Sequence, residues 1–455
     1  MIGLRKTPLR GKEKRRRVAF RSFGEKEQRE RNLSPFSYQN CDCRGGVLHG
    51  GIGVKKHLDS SGQEIAVGMP SGIGVTNIFF TTLNKDGTQA NTSAIYTVGI
   101  DGYLYMRRDN GSVLQKVLVG ANAKHCAMKT EKKIIYNFFC GSKGAFCTLD
   151  GATFKNLLNV DCLDICVCGK RCLILTKNGE LFYSAALQPL NMGSADPNGM
   201  GIIYLPVEYG SPKGMKEYGG KAYIFFEKGI CRLTVSAIAN EHVLEKIPYN
   251  GGEICLGGQA TTSDGILFLA KEGVYYLRNG GVERICEYLN IGPCKTNKNC
   301  TVGYCDDVVI FSYYKNGTVL TPKRVAVYMD GKDGYFTDAY GALGGNAYTY
   351  IDGKVYRYEK DCEDIQRAKT CLFTTELLDF EGRGCKRLKT LSLRGVGSVT
   401  VTVKSEKKER SYSLVFKNGI AKTKLREKGD AFSFAFEVDA GSFVSSMDVE
   451  YVTEG

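Results

Sequence analysis

Tryptophan is absent from this chain, and histidine and proline are scarce: 455 residues include no Trp, four His and ten Pro. The histidines are His49, His57, His125 and His242. Nucleophilic catalysis needs a base beside the nucleophile; no histidine here lies in a recognisable catalytic signature, and the sequence has no G-x-S-x-G elbow and no H-E-x-x-H pattern. We therefore expect no enzyme activity.

Long apolar runs are also missing. No run reaches the length of a membrane span, and no apolar segment follows the basic residues Arg5, Lys6 and Arg10. We therefore expect neither a signal peptide nor a membrane anchor. Eighteen cysteines are present, but without a secretory signal free thiols are the expectation.

Metal-ligand spacing is lacking among these cysteines. None forms C-x-x-C, and no His nearby completes a zinc set. Cys147, Cys172 and Cys231 lie inside strand-like runs, where Cys acts as a small apolar residue. We expect no metal and no cofactor.

Glycine is abundant, with 55 residues, and it marks a repeated hairpin. In Asp264–Arg278 an apolar run, a Gly turn and a second apolar-aromatic run follow one another, which is typical of a β-hairpin. The same pattern occurs seven times, with turn glycines at Gly102, Gly144, Gly179, Gly229, Gly273, Gly317 and Gly353.

The spacing of these hairpins predicts the fold class. Successive turn glycines are 35 to 50 residues apart, and a period of roughly 40 to 50 residues built from short strands is typical of propeller blades. The sequence predicts an all-β chain with a β-propeller of about seven blades over residues 63–369, six being the alternative count. A large sandwich of unrelated hairpins is the competing interpretation.

Residues 370–455 have a different pattern. Five segments, around Leu391, Val401, Leu414, Phe434 and Val449, alternate apolar and polar residues with period two. This alternation predicts a half-buried antiparallel sheet, and we expect a small C-terminal β-sandwich with a boundary near Thr370.

The net charge of +14 is concentrated near the N-terminus, where residues 1–31 hold twelve Lys or Arg against four Glu. We interpret residues 1–62 as an extended basic arm followed by a Gly-rich lead-in. Such an arm either contacts phosphate or an acidic partner, or is a solvated tail. The candidate contact residues are Arg10, Lys12, Lys14, Arg15, Arg16, Arg17 and Arg21.

Two further functions remain open. A propeller that binds or cleaves glycans needs, for cleavage, two carboxylates across a sugar bond. A propeller can also be a cytosolic scaffold for protein partners. The carboxylates available for the first role are Asp161, Asp164, Asp306 and Asp307.

The order of parts over residues 45–455 resembles a family. Lys221–Ile230 and Gly265–Tyr275 are followed by Thr375–Phe380, Lys386–Leu393 and Val399–Val403. This layout resembles propeller-bearing virion proteins of tailed bacteriophages, in particular the packaged-DNA stabilisation and tail-hub proteins of short-tailed phages.

The resemblance implies a non-enzymatic structural role. Copies would stand in a ring below the portal, at the head-to-tail connector or tail hub, and close the DNA channel. The implied partners are further copies, portal- or adaptor-type ring proteins and, through the basic arm, non-specifically bound DNA. The implied location is the virion, assembled in the cytoplasm of a host bacterium.

Overall fold

The computed structural model describes most of the chain. The described residues are 15–23, 32–33, 35–39, 46–50, 53–58, 61–64, 70, 72–84, 90–107, 113–192, 199–238, 241–262, 264–285, 301–305, 308–313, 316–320, 326–330, 336–338, 347–351, 354–359, 371–380 and 384–453. The chain forms two compact units. One comprises residues 1–53 and 360–455, and the other comprises residues 54–359.

The N-terminal residues contribute five strands to the first unit. These are β1 (Arg15–Phe20), β2 (Ser22–Phe23), β3 (Asn32–Leu33), β4 (Pro35–Gln39) and β5 (Leu48–His49).

The second unit contains, in the described residues, seven four-stranded antiparallel sheets. The first three sheets are β7 (Val75–Asn84), β8 (Ala90–Gly99), β9 (Tyr103–Arg107) and β10 (Val113–Leu118); β11 (Lys124–Lys129), β12 (Ile135–Gly141), β13 (Gly144–Thr148) and β14 (Lys155–Leu158); and β15 (Cys162–Cys168), β16 (Arg171–Thr176), β17 (Glu180–Tyr183) and β18 (Gly201–Tyr204). A short 3-10 helix, Val207–Tyr209, follows β18.

Four more sheets complete this unit. They are β19 (Pro212–Tyr218), β20 (Lys221–Phe226), β21 (Ile230–Thr234) and β22 (Val243–Ile247); β23 (Ile254–Thr261), β24 (Ile266–Ala270), β25 (Gly273–Arg278) and β26 (Gly281–Ile285); β27 (Thr301–Cys305), β28 (Val308–Tyr313), β29 (Asn316–Leu320) and β30 (Ala326–Asp330); and β31 (Phe336–Asp338), β32 (Ala347–Ile351) and β33 (Lys354–Glu359) with β6 (Gly53–Lys56).

These sheets are the blades of a closed β-propeller. From β11 onward the first strand of each sheet contacts the first strand of the next, and β31 contacts β7, which in turn contacts β12. Each predicted hairpin is the second and third strand of one blade, so the prediction of about seven blades is confirmed. Gly144 shows why glycine is needed: its φ is 126°, and a Cβ there would lie 2.4 Å from the Leu158 carbonyl oxygen.

Apolar side chains fill the space between blades. Between the third and fourth blades, Leu173 and Leu175 pack with Ile224 and Phe226, all almost completely buried. Full burial of such a side chain contributes roughly 1.5–3 kcal/mol. Closure of the ring depends on many such contacts and not on any single pair.

The seventh blade is completed from the N-terminal side, because β6 pairs with β33. The amide of His57 donates to the Val355 carbonyl at 2.9 Å. The propeller thus starts before residue 63, ten residues earlier than the sequence predicted. The segment Gly53–Lys56 carries too few apolar residues to be recognised as a blade strand.

Glu64 links the two strands that complete the seventh blade, because it forms ion pairs with Lys354 of β33 and Lys56 of β6. Hydrogen bonds from Lys354 and Lys56 lower the pKa of Glu64 from 4.5 to about 2. A depressed carboxyl pKa means that the ion pairs stabilise the fold above pH 4.5, and that this contribution is lost as the pH falls through about 2.

We therefore expect Glu64 to titrate near pH 2 in the folded protein. Carboxyl-carbon labelling of glutamate measures this by NMR, with the Glu64→Gln variant assigning the signal. A midpoint near the ordinary glutamate value would show that the two lysines do not hold this carboxylate.

The C-terminal strands complete the first unit. They are β34 (Cys371–Thr375), β35 (Lys386–Val396), β36 (Ser398–Ser405), β37 (Glu409–Val415), β38 (Ile420–Lys424), β39 (Lys428–Gly429), β40 (Phe432–Val438) and β41 (Phe443–Thr453). One sheet has the order β1-β41-β35-β38, with β39 also on β35 and β5 also on β41. The other has the order β37-β36-β40-β34-β4.

The two sheets enclose an aromatic core. Phe380 stacks on Tyr451 of the six-stranded sheet at 5.4 Å and on Phe432 of the five-stranded sheet at 5.8 Å. The predicted C-terminal sandwich is therefore present, and its five predicted segments fall in β35, β36, β37, β40 and β41.

The prediction of an extended basic arm is wrong for residues 15–20, which form part of the sandwich. Residues 15–20 are β1, which pairs antiparallel with β41, and β4 pairs with β34. Val18 and Phe20 are buried because they alternate onto the inner face of the sheet. The sandwich is thus built from both ends of the chain, with the propeller inserted between β5 and β34.

Candidate functional site

The predicted contact residues divide into two groups. Arg15, Arg16 and Arg17 lie on β1, and Arg21 directly follows it. Arg10, Lys12 and Lys14 lie outside the described residues. The structure therefore brings four of the seven predicted residues to one edge of the six-stranded sheet.

The pleat of β1 separates its three arginines. Arg15 pairs with Val452 and Arg17 with Glu450, whereas Arg16 lies between them in the register. Since successive side chains of a strand point to opposite faces, Arg15 and Arg17 share the outer face, and Arg16 lies on the side of Val18.

Asp448 fixes two of these arginines. Arg17 Nη2 donates to Asp448 Oδ2 at 2.9 Å, and Arg21 Nη1 lies 3.9 Å from the same oxygen. The aspartate side chain is only 7% exposed, while those of Arg17 and Arg21 are 60% and 48% exposed. The hydrogen bond and charge of Asp448 raise the pKa of Arg17. Asp448 therefore holds both guanidinium groups in place while they stay accessible to solvent.

Cross-strand partners extend the charge across the sheet. Directly paired residues share a face, and Glu450 pairs with Thr390, which pairs with Lys424. Asp448 likewise pairs with Ser392, which pairs with Lys422. The outer face, which we call the basic face, carries Arg15, Arg17, Arg21, Arg387, Arg394, Lys422, Lys424 and Lys428.

Few carboxylates share this face with the basic groups. Within the paired rows described, the basic face carries eight basic side chains and two carboxylates, Asp448 and Glu450. Its excess of positive charge is therefore six, much of it on β35 and β38 and not on the N-terminal segment.

The outer face of the five-stranded sheet differs in chemistry. Thr400 and Ser413 form a hydroxyl pair at 3.2 Å, and Thr402 and Ser411 form another at 2.7 Å. These neutral pairs run along β36 and β37, so the two outer faces of the sandwich differ sharply in charge.

Sequence reasoning missed five members of the basic face: Arg387, Arg394, Lys422, Lys424 and Lys428. A signal was present in the alternation Lys422-x-Lys424, which predicts two side chains on one face of a strand. Arg15 and Arg17 share this face with Lys422 and Lys424 only because strands more than 400 residues apart in the sequence pair with one another.

The carboxylates considered for glycan chemistry have other contacts. The Asp164 carboxylate accepts from the backbone N–H groups of Ile165 at 2.9 Å and Met215 at 2.8 Å. It thereby joins the third blade to the fourth. Asp161 is exposed and lies 3.8 Å from Lys177. Asp306 and Asp307 lie outside the described residues.

Other titratable groups of the propeller are packed inside it. The nine propeller cysteines whose burial is described are all buried. Burial raises the pKa of Cys162 and of Cys168 to about 12, which keeps these thiols protonated and weakly nucleophilic at neutral pH. In the described part of the chain, no three His, Cys, Asp or Glu residues are grouped to hold a metal ion.

No helix among the described residues is long and apolar enough to cross a membrane. The sequence matches no family model and no curated protein. Among solved structures, the chain is similar to BBS1N from its complex with ARL6DN, with 9% identity, a TM-score of 0.41, and coverage of 65% of this chain and 96% of that one.

Two other solved structures show a similar degree of likeness. A chain of the mitotic checkpoint complex has 7% identity and a TM-score of 0.41, covering 67% of this chain and 98% of that one. The computationally designed Ika8 protein has 9% identity and a TM-score of 0.36, covering 65% and 99%. Likeness of this degree does not bear on function.

Proposed function

We propose that this chain is a non-enzymatic structural component of a phage or prophage virion. It would form part of the head-to-tail connector or tail hub that closes the DNA channel. The layout shared with propeller-bearing virion proteins over residues 45–455 supports this setting. Neighbouring ring proteins and further copies of the chain are its partners.

The observation that carries the proposal is the contrast between the two units. In the described propeller, the Asp164 carboxylate joins two blades through backbone N–H groups. In the sandwich, exposed cations are displayed on a sheet whose strands come from both chain ends. A rigid scaffold with a charged exterior suits assembly better than turnover.

Protection of the sheet edges is a simpler role for the arginines. Charged side chains on edge strands prevent sheets from pairing edge to edge, and β1 and β38 both lie at the ends of the described strand order. That role does not account for Arg387 and Arg394, which lie on the interior strand β35. The charge therefore belongs to the face and not to its edges alone.

The test is native mass spectrometry of the purified chain, alone and co-expressed with a portal- or adaptor-type ring protein from its genomic neighbourhood. We expect a ring-sized homo-oligomer or a stoichiometric complex with the ring protein. A chain that stays monomeric in both preparations, from a locus without capsid or terminase genes, would contradict the proposal.

A further inference from the structure

We infer that the basic face of the sandwich binds the phosphodiester backbone of nucleic acid without reading its sequence. The inference rests on the proposed function and deepens it by naming the ligand of one surface. It assigns contact to Arg387, Arg394, Lys422, Lys424 and Lys428 together with Arg15, Arg17 and Arg21.

The dimensions of the face fit a nucleic-acid backbone. Strands lie about 4.8 Å apart and alternate residues about 6.8 Å apart along a strand. The four paired rows therefore cover roughly 14 Å across the strands and roughly 20 Å along them. A duplex segment of about 20 Å carries about twelve phosphates, half of them on one side. The eight cations and two carboxylates of the face leave six positive charges, which match the roughly six phosphates within reach.

The donor types also fit phosphate. Five of the eight basic residues are arginines, whose planar fork donates two hydrogen bonds to phosphate oxygens, and three are lysines, which act as point charges. The hydroxyls of Thr390 and Ser392 lie in the same rows between the cations. Neutral hydroxyl donors beside cations are frequent partners of backbone phosphates.

An acidic protein surface fits less well. Protein interfaces have a core depleted of charge and enriched in aromatic residues. The centre of the basic face instead holds the pair of Arg17 and Asp448, flanked by Ser392 and Lys422. In the four paired rows described, Ile420 is the exposed apolar residue. The surface therefore offers charge and hydrogen bonds with little apolar contact.

Asp448 acts here as a positioning residue. Its carboxylate lies beneath Arg17 and Arg21 and is itself nearly inaccessible. A phosphate approaching from solvent meets the two guanidinium groups first. The aspartate lowers the net charge of the face by one, while it orients two arginines outward.

The experiment measures binding of fluorescent nucleic acid to the full-length protein by anisotropy over a range of salt concentrations. The probes are a duplex of about 20 base pairs, a single strand of the same length and polyglutamate. With about four to six phosphates contacted, the slope of log affinity against log salt should be roughly −4 to −5 for the duplex.

Two variants test the face and two serve as matched controls. Arg15→Gln with Arg17→Gln, and Lys422→Gln with Lys424→Gln, should each weaken duplex binding about tenfold and reduce the salt slope by about 2. Arg16→Gln removes a charge from β1 on the side of the sheet opposite to Arg15 and Arg17. Lys404→Gln with Lys407→Gln removes two exposed charges from the region of β36. Both controls should change affinity less than about threefold.

Each outcome decides the inference. It is overturned if the controls weaken binding as much as the face variants, if polyglutamate binds as tightly as the duplex, or if no nucleic acid binds. Tighter binding of the single strand than of the duplex, with the same loss in the face variants, would support the inference for a single-stranded backbone. Ring assembly without nucleic-acid binding would overturn this inference alone. Nucleic-acid binding by a chain that stays monomeric in both preparations, from a locus without capsid or terminase genes, would overturn the proposed function alone.

Discussion

Replacement of Arg171 by methionine should lower the free energy of unfolding of the propeller by about 3–5 kcal/mol. The Arg171 side chain is completely buried at the start of β16. Its guanidinium donates to the carbonyls of Ser184 at 2.7 Å and Ser236 at 3.2 Å, and also to those of Gly199 and Ala237. Methionine fills similar space but leaves these acceptors without their donor.

Chemical denaturation of the variant and the wild type measures this difference. Arg171→Lys should recover only part of it, because one ammonium cannot reach acceptors on both sides. The control is Arg232→Gln, which removes a partly exposed pair with Glu245 in the neighbouring blade and should cost at most about 1 kcal/mol. Equal stability of Arg171→Met and the wild type would mean that this arginine does not join the third and fourth blades.

The stability of the propeller should also fall in mild acid because of His125. Its ring is buried between Phe79 at 5.3 Å and Phe139 at 4.8 Å, with Nε2 3.2 Å from Asn137 Oδ1. Burial lowers the pKa of His125 from 6.5 to about 4, partly opposed by the hydrogen bond to Asn137.

The sign of the effect follows from this depression. Below pH 6.5 His125 binds a proton in the unfolded chain but stays neutral in the folded protein. Its contribution to the free energy of unfolding is therefore complete above pH 6.5 and declines as the pH approaches 4. The loss by pH 4 should be about 3 kcal/mol.

The His125→Gln variant isolates this contribution. It should lose less stability than the wild type between pH 6.5 and 4, and above that range the difference between the two proteins should not change with pH. Parallel pH profiles over the whole range would show that His125 does not cause the acid sensitivity.

The blades could be predicted because each hairpin is a local unit. In Ile266–Ala270 and Gly273–Arg278, apolar residues and a Gly turn specify pairing within a dozen residues. The seven copies then predicted the ring. The C-terminal strands were predicted for a similar reason, since one-face burial imposes period two on segments such as Ser398–Ser405.

Long-range pairings were not predictable in the same way. The segment Arg15–Phe20 shows only Val18 and Phe20 as alternating apolar residues, and its partner β41 lies more than 400 positions away. Gly53–Lys56 likewise becomes a blade strand because β33 presents a free edge to it. The basic face depends on such pairings, so the sequence indicated its N-terminal part alone.

The order of the strands along the chain affects how the two units fold. The segments flanking the propeller, β5 and β34, both belong to the sandwich, and the N-terminal β6 closes the last blade. Both closures join residues from opposite ends of the chain. A chain without β1 and β6 would leave β41 and β33 without these partner strands, and the basic face forms only when β1, β35, β38 and β41 are all present.

Hydrogen–deuterium exchange of the protein with and without duplex DNA tests most directly whether the basic face binds nucleic acid. We expect slower exchange on DNA binding in peptides covering Arg15–Phe20 and Ile420–Lys424, with no change in Ser398–Ser405 or Glu409–Val415. Protection confined to the propeller blades, or to the hydroxyl-bearing strands β36 and β37, would contradict it.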